Sequence, residues 1–311
     1  MLSLLASTSA LCPPAAATLY HSIPSTCVAT PARLRVSHAP VASLPTISVL
    51  AGVCTAPTLL GYWKTEYGVS YAYGAAMAAC GGLVWPAAVK CGPLAAAHAL
   101  VLVLYGVRLN AFLLYRELTV PRFRSFREKI EARSKQQGGR LKRTPFVLGC
   151  SFLYFCMGAP LRLTAVTPAS GVAKVALFLE VLLMYVGFLV AAVGDSHKSY
   201  AKAQRGDDAL VVTGIFRYLR HPNYTGELLL WGASVAAALT VAPAALAAGA
   251  PLLTITWSLA AAGVGYAGIG FVLVNAASSL EKKQREKYGQ ELPAGLYERW
   301  VASSWSGPTR A

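Results

Sequence analysis

Residues 171–194 read GVAKVALFLEVLLMYVGFLVAAVG, and this stretch decides the fold class of the chain. Among its 24 residues only Lys174 and Glu180 carry a charge. A helix crosses a bilayer with about 20 mostly apolar residues, and in lipid its backbone groups must bond within the helix. The stretch is therefore predicted to be a transmembrane helix.

The whole chain has the composition of a membrane protein. Of its 311 residues, 55% are hydrophobic and 13% are charged, whereas soluble domains average about 25% charged residues. We therefore predict an all-α polytopic bundle of about six to seven transmembrane helices. The candidate spans, of which the first and fourth have the weakest pattern, lie near residues 43–62, 67–89, 93–115, 145–161, 171–194, 224–247 and 251–275.

Positive charge marks one side of the membrane. Residues 116–143 hold ten Lys or Arg against three Glu, and more basic residues lie in 195–220 and in the tail from Glu281 onward. Two predicted spans separate each basic segment from the next, so all three lie on the same side, as the positive-inside rule predicts. In so apolar a chain, the net charge of +15 fits a membrane surface or an anionic cofactor better than nucleic acid.

The first 46 residues differ in composition from the rest. They are rich in Ser, Thr, Ala and Pro, contain Arg33 and Arg35, and precede the first carboxylate of the chain, Glu66. Transit peptides have this composition. We predict a transit peptide or disordered tail over 1–46 and one transmembrane domain over 47–311. The expected location is a plastid membrane, with the endoplasmic reticulum as the alternative.

Residues 214–231, GIFRYLRHPNYTGELLLW, carry the densest group of polar side chains next to a span. Pro222 suits the first turn of a helix and places His221 near the N-cap. Asn223 and Glu227 are four residues apart and therefore share one helical face. A helix N-terminus preceded by arginines attracts anions. The stretch therefore predicts an anion site at the membrane face.

The pattern Arg-x-x-Arg-His-Pro-Asn-Tyr-x-Gly-Glu-x-x-x-Trp over 217–231 resembles the C-terminal signature of the steroid 5-alpha-reductase-like membrane family. Upstream, Asp195 and Lys198 in the stretch Asp195-Ser-His-Lys198-Ser-Tyr200 resemble the Asp-x-x-Lys part of an element that precedes this signature. The resemblance is specific over 195–231 and extends in layout over roughly residues 100–300. It implies a bound NADPH and the reduction of an activated carbon–carbon double bond in a lipid-like substrate.

The resemblance also implies a set of cofactor-binding residues. Arg217 and Arg220 match basic positions near the cofactor phosphates, and Glu281 matches a position from which the tail would complete the pocket. The tail departs from the family, because Tyr288 and Tyr297 are nine residues apart. The positions that match the lining of the cofactor pocket, or the loop expected to close over it, are His221, Asn223, Tyr224, Glu227, Asp195 and Lys198.

The resemblance supplies no catalytic residue, so Tyr105, Glu180 and Tyr185 are only candidates for a proton donor. The Arg-His-Pro-x-Tyr core is shared with sterol C14 reductases and with isoprenylcysteine carboxyl methyltransferases. A membrane methyltransferase that uses S-adenosylmethionine is therefore the first alternative, and a non-catalytic membrane protein is the second. The seven cysteines lack the spacing of a metal site, and we predict neither a metal nor a nucleic-acid partner.

Overall fold

The computed structural model describes residues 46–136, 139–291 and 295–307. The predicted transit peptide lies outside these residues apart from Thr46, whose side chain caps the first helix. The described residues form helices and one isolated bridge between Leu219 and Trp305, which confirms the all-α prediction. The α-helices are α1 Ile47–Thr58, α2 Leu60–Trp63, α3 Tyr71–Cys91, α4 Pro93–Thr119, α5 Pro121–Gln136, α6 Thr144–Gly158, α7 Leu161–Thr164, α8 Gly171–Arg205, α9 Pro222–Ala247, α10 Leu252–Glu291 and α11 Leu296–Ser303.

Six helical segments among the described residues are long and apolar enough to cross a membrane. Their number confirms the predicted polytopic bundle, and they make the chain an integral membrane protein. The fourth candidate span, weak in the sequence, is one of them. The six segments are Thr65–Cys91, Pro93–Thr119, Arg140–Thr164, Gly171–Arg205, Pro222–Ala247 and Leu252–Gly289.

The first candidate span corresponds to a shorter apolar segment, Ile47–Trp63. At 1.5 Å per residue a helix of this length covers about 25 Å, which is less than the ~30 Å hydrocarbon core. The helix is also interrupted at Leu59, which ends α1 and precedes α2. Leu50 and Cys54 are buried in the main core, so the segment packs into the bundle without the length of a full span.

Glycines allow helices of the bundle to approach each other backbone to backbone. In the α8–α9 pair, a Cβ added to Gly187 would lie 2.5 Å from the carbonyl oxygen of Gly226. In the α3–α4 pair, Gly74 and Gly106 face each other in the same way. Small residues at such positions allow transmembrane helices to pack closely. These pairs position α4, α8 and α9, which line the candidate site, and α3, which carries Tyr73.

α8 continues as a helix well beyond its apolar span. It runs to Arg205, so Asp195 and Lys198 lie on a helix, and the prediction that they lie on a closing loop is wrong. No proline interrupts this part of the chain, and the helix ends at Gly206, whose φ of 92° favours glycine. α10 likewise reaches Glu291, because its polar end is rich in good helix formers.

The C-terminal helix α11 returns the chain to the start of α9. The indole nitrogen of Trp300 donates a hydrogen bond to the carbonyl oxygen of Phe216 at 2.7 Å. Beyond the helix, the backbone of Trp305 accepts from the N–H of Arg220 at 2.9 Å and donates to the carbonyl oxygen of Tyr218 at 2.8 Å. The tail is therefore packed against the loop that precedes α9.

Candidate functional site

The N-terminus of α9 is built as the sequence predicts. His221 is the N-cap residue and Pro222 is at the first helical position, where the missing N–H of proline costs no hydrogen bond. A Cβ added to Gly194 of α8 would lie 2.8 Å from the Pro222 ring, so the two helices touch at this point. The first turn of α9, with Asn223 and Tyr224, is thereby fixed against α8.

A cavity of about 680 Å³ lies beside this helix start. Residues of α4, α5, α8, α9 and α10 form its walls. Aromatic rings and basic groups both contribute, so the space suits a ligand with flat and anionic parts. The lining includes Phe112, Tyr115, Phe123, Phe126, Arg116, Arg122, Lys198, Lys202, Asn223 and Tyr224, together with Asp195 and Asp207.

Basic side chains outnumber acidic ones around this cavity. Asp195 is paired with Arg108 of α4, with 2.9 Å between Oδ2 and Nη1, so its charge is already balanced. The Arg116 guanidinium lies 4.2 Å from the centre of the Phe123 ring. Within the described part of the chain, neither Arg116 nor Lys198 forms a salt bridge. These two cations are therefore available to an anionic ligand.

A smaller cavity of about 210 Å³ shares part of this lining. Next to it, in the loop after α8, Asp208 binds Arg122 at 2.7 Å and also binds Lys287. These hydrogen bonds, the one from Lys287 being the stronger influence, lower the pKa of Asp208 to about 2. The basic residues that line the smaller cavity are Arg122, Lys198, Lys202, Lys283 and Lys287.

One helical turn deeper than Asn223, Glu227 belongs to a polar cluster within the membrane. The Tyr73 hydroxyl of α3 donates to Glu227 Oε2 at 3.2 Å, and Trp231 Nε1 donates to the Tyr73 oxygen at 2.7 Å. Because an indole N–H can only donate, the Tyr73 proton is left to point at the carboxylate. The Tyr105 ring packs 5.6 Å from that of Tyr73 and 5.3 Å from that of Trp231.

Arg220 and His221 are bound to the C-terminal part of the chain. Arg220 Nε donates to Glu281 Oε1 at 2.9 Å, and Nη1 donates to the carbonyl oxygens of Val301 at 2.9 Å and Ser304 at 2.6 Å. His221 Nε2 lies 2.9 Å from the same oxygen of Glu281. Burial lowers the pKa of His221, although Glu281 acts in the opposite direction. A neutral imidazole that donates to Glu281 therefore fits this position.

Residues 69–290 match the family model described as a protein of unknown function, DUF1295. This region is more than two thirds of the chain. The chain belongs to the DUF1295 family. No curated protein and no solved structure shows a significant match to it.

The DUF1295 region holds every residue that lines the larger cavity, from Phe112 to Leu280. It also holds the whole polar cluster around Glu227. α11 lies after the end of the match, although its backbone accepts hydrogen bonds from Arg220. The C-terminal support of the site therefore comes from outside the region that defines the family.

The residues predicted to bind a cofactor in this DUF1295 protein fall into four groups. Glu227 lies one turn deeper than the cavity, whereas Arg220 and His221 bind Glu281. Arg217 is exposed, with its guanidinium 5.9 Å from the ring of Tyr218. The other four line the larger cavity, and they are Asp195, Lys198, Asn223 and Tyr224.

Sequence reasoning did not find three residues of the site. Arg116 and Arg122 line the larger cavity, but they stand in a basic segment that the positive-inside rule explains by itself. Tyr73 stands in an apolar span, and no motif surrounds it. Its partners Glu227 and Trp231 follow it by more than 150 residues, so no local signal identifies it.

The three candidate proton donors lie in different places. Tyr105 packs into the cluster around Glu227. The Tyr185 hydroxyl donates to the carbonyl oxygen of Ala97 at 3.1 Å. Glu180 accepts a hydrogen bond from Thr240 at 2.6 Å, between α8 and α9. Only Tyr105 therefore adjoins the polar cluster.

Proposed function

We propose that this DUF1295 protein is a membrane-embedded reductase that uses NADPH to reduce a carbon–carbon double bond in a lipid. The observation that carries the proposal is the cavity beside the start of α9, where unpaired cations and aromatic rings line one space of ligand size. The pattern over 217–231, which resembles that of steroid 5-alpha-reductase-like enzymes, supports the same cofactor at the same place.

The residues of the cavity fit the chemistry of NADPH. Arg116 and Lys198 offer charge to phosphate groups, and arginine adds paired hydrogen bonds. The ring of Tyr115, which lines the cavity and is 50% exposed, offers a flat surface to an aromatic base. The smaller basic cavity that shares Lys198 and Lys202 with the larger one gives room for a further phosphate.

Charge favours NADPH over S-adenosylmethionine. The lining of the larger cavity has four cations against two acids, and Arg108 balances one of those acids, Asp195. S-adenosylmethionine carries a positive sulfonium, which such a lining would repel. NADPH carries several negative charges, which the same lining would attract.

The chain's own residues supply a candidate for proton delivery. NADPH, when bound, supplies the hydride. The Tyr73 hydroxyl, which accepts from Trp231 and points at Glu227, is held in place to deliver a proton to the neighbouring carbon of the double bond. The carboxylate of Glu227 orients that hydroxyl, and the indole of Trp231 holds the oxygen as it becomes more negative.

The position of the cluster selects the substrate class. Tyr73, Tyr105 and Trp231 all lie within span-length helices and are at most 8% exposed, so water is scarce around them. Such a site suits a lipid that carries an activated double bond, and the protein contributes orientation and exclusion of water.

The proposal is tested by nucleotide binding to the full chain, purified in a mild neutral detergent. NADPH and S-adenosylmethionine are each titrated against wild type, Arg116→Gln and Lys198→Gln. We expect wild type to bind NADPH selectively, and each variant to bind it about 10–100-fold more weakly, because each loses a charged contact. Arg205→Gln is the matched control, because Arg205 is exposed at the end of α8.

Each contrary outcome has a defined meaning. Selective binding of S-adenosylmethionine would make the protein a methyltransferase. Binding of neither molecule would make a non-catalytic role the leading hypothesis. Equal losses in Arg205→Gln and in the two cavity variants would show that total charge, and not the cavity, attracts the nucleotide.

We also propose a plastid membrane as the location, from the composition of residues 1–46. A fusion of these residues to a fluorescent protein should enter plastids and lose the leader on import. Retention of the full-length chain at the endoplasmic reticulum would support the alternative location.

A further inference from the structure

The segment between α4 and α6 separates its charges into an inward and an outward set. Arg127 is buried and binds Glu66 at 3.1 Å and Glu117 at 2.5 Å. Arg143 is buried and binds Glu131 at 2.8 Å. The carboxylates near this segment therefore neutralise the arginines that face the protein.

The outward cations have no such partners. They are exposed, and among the residues that the structure describes none of them forms a salt bridge. Glu128 is the exposed acidic residue among them. We call the following residues the α5 surface: Arg124, Lys129, Arg133, Lys135, Arg140 and Lys142.

The α5 surface is held at the level of the membrane face. α4, a span-length helix, ends at Thr119, and one residue later α5 begins. At the other end, Arg140 already belongs to the next span-length segment. Both ends of the segment are therefore anchored to spans, and its cations lie near the lipid headgroups, where screening over about 8–10 Å still leaves strong attraction.

Apolar side chains stand among these cations. Phe126 is 53% exposed and Leu141 is 81% exposed. Cations mixed with bulky apolar residues are typical of helices that lie in a membrane interface, with the apolar groups at the headgroup boundary. An aromatic ring can also stack on a nucleic-acid base, but the aliphatic Leu141 cannot, which favours lipid over RNA.

We propose that the α5 surface binds the anionic headgroups of phospholipids in the surrounding bilayer. The acidic phosphate lipids of the same leaflet complement its charge, and Phe126 and Leu141 contact the adjoining acyl region. Phe126 also lines the cofactor cavity, but none of the six cations does, so the cations alone separate lipid binding from cofactor binding.

Native mass spectrometry of the full chain tests the proposal. The protein in neutral detergent is titrated with phosphatidylglycerol and, separately, with phosphatidylcholine. Wild type should retain phosphatidylglycerol selectively. Each basic residue near an anionic surface strengthens binding about fivefold, so Lys129→Gln/Arg133→Gln/Lys135→Gln should weaken it about a hundredfold. Glutamine is also a good helix former, so α5 is preserved.

The matched control removes three exposed cations from the same side of the membrane, as Arg205→Gln/Lys282→Gln/Arg299→Gln. It should retain phosphatidylglycerol within about twofold of wild type. An equal loss in both triple variants, or equal retention of the two lipids by wild type, would overturn the proposal. A single-stranded RNA oligonucleotide is the third ligand. Tight binding of it, lost only in the α5 triple variant, would replace the lipid with RNA as the occupant.

Discussion

Arg220 and Glu281 form a salt bridge of 2.9 Å that joins the loop before α9 to α10. The same carboxylate oxygen contacts His221, and Arg220 Nη1 donates to the carbonyl oxygens of Val301, in α11, and Ser304, just after it. The guanidinium of Arg220, a basic residue of the signature, is therefore bound by other groups of the protein. Its position supports the helix start, while Arg116 and Lys198 face the cavity.

Replacing Glu281 should therefore destabilise the fold. Glu281→Gln leaves the Arg220 guanidinium, whose side chain is 10% exposed, without its charge partner, and we expect a loss of about 2 kcal/mol or more in the free energy of unfolding. Thermal unfolding in detergent measures this loss as a lower Tm. Glu286→Gln, an exposed position on the same helix, should leave the Tm unchanged. Equal Tm values for the two variants would contradict the structural role of Glu281.

The buried His221 should make stability depend on pH. Burial lowers the pKa of His221 below its usual 6.5, so the unfolded chain binds a proton at a higher pH than the folded chain does. Stability is then full above about pH 6.5 and falls as the pH drops through that value toward the folded-state pKa. We expect the Tm of wild type to fall between pH 7.5 and pH 5, and His221→Gln to show a flatter profile. An identical slope in the two proteins would assign the pH dependence to other groups.

Glycines of α10 offer a matched pair that tests the packing of the bundle. A Cβ added to Gly265 would lie 2.6 Å from the backbone of Cys156, whereas one added to Gly263 would meet nothing within 4 Å. Backbone cannot move aside as a side chain can, so Gly265→Ala should cost about 1–3 kcal/mol. Gly263→Ala should be neutral or slightly stabilising, because alanine is the better helix former. The Tm of each variant measures the difference, and similar values would mean that α6 and α10 are not in contact.

The sequence predicts the parts of this protein that depend on local patterns. Apolar runs give the positions of the six long segments, and Pro222 gives the start of α9, because both signals lie within one turn or one span. The helical continuation through Asp195 and Lys198 is missed, since a drop in hydropathy ends a span but does not end a helix. The sequence signal for the end of α8 is Gly206, the residue that follows the helix.

Residues brought together from distant parts of the chain could not be predicted. In the sequence, Arg220 stands in a basic segment of the kind that is usually exposed. Its side-chain partners lie 61 to 84 residues later in the chain. The resemblance implies a role for Arg220 at the cofactor phosphates, which remains a prediction. It does not predict the contacts of Arg220 with the C-terminal part of the chain. Arg116 joins the cavity because α4 and α8 pack together, which depends on a pairing of helices that hydropathy does not specify.

Removing the Tyr73 hydroxyl tests the proposed proton delivery. Tyr73→Phe should lower kcat for NADPH-dependent reduction by about a hundredfold or more, since a positioned proton donor contributes roughly 10²–10⁴. NADPH binding should stay within about twofold of wild type, because Tyr73 does not line the cavity. The assay follows NADPH oxidation with a panel of lipids that carry an enone, among them a 3-keto-4-ene steroid and a long-chain 2-enone. Tyr185→Phe is the control and should keep its kcat, because the Tyr185 hydroxyl donates to the backbone carbonyl of Ala97.

A purely structural role for Tyr73 is separated by the solvent isotope effect. If Tyr73 delivers the proton, kcat of wild type should fall in deuterated water. The residual kcat of Tyr73→Phe should then show a solvent isotope effect of a different size, because water replaces the hydroxyl as proton donor. Loss of the contact with Trp231 alone should cost about 1 kcal/mol of stability, and it would leave the isotope effect unchanged. A variant with unaltered kcat on a substrate that wild type reduces would move the proton donor to Tyr105, whose ring packs against Tyr73 at 5.6 Å.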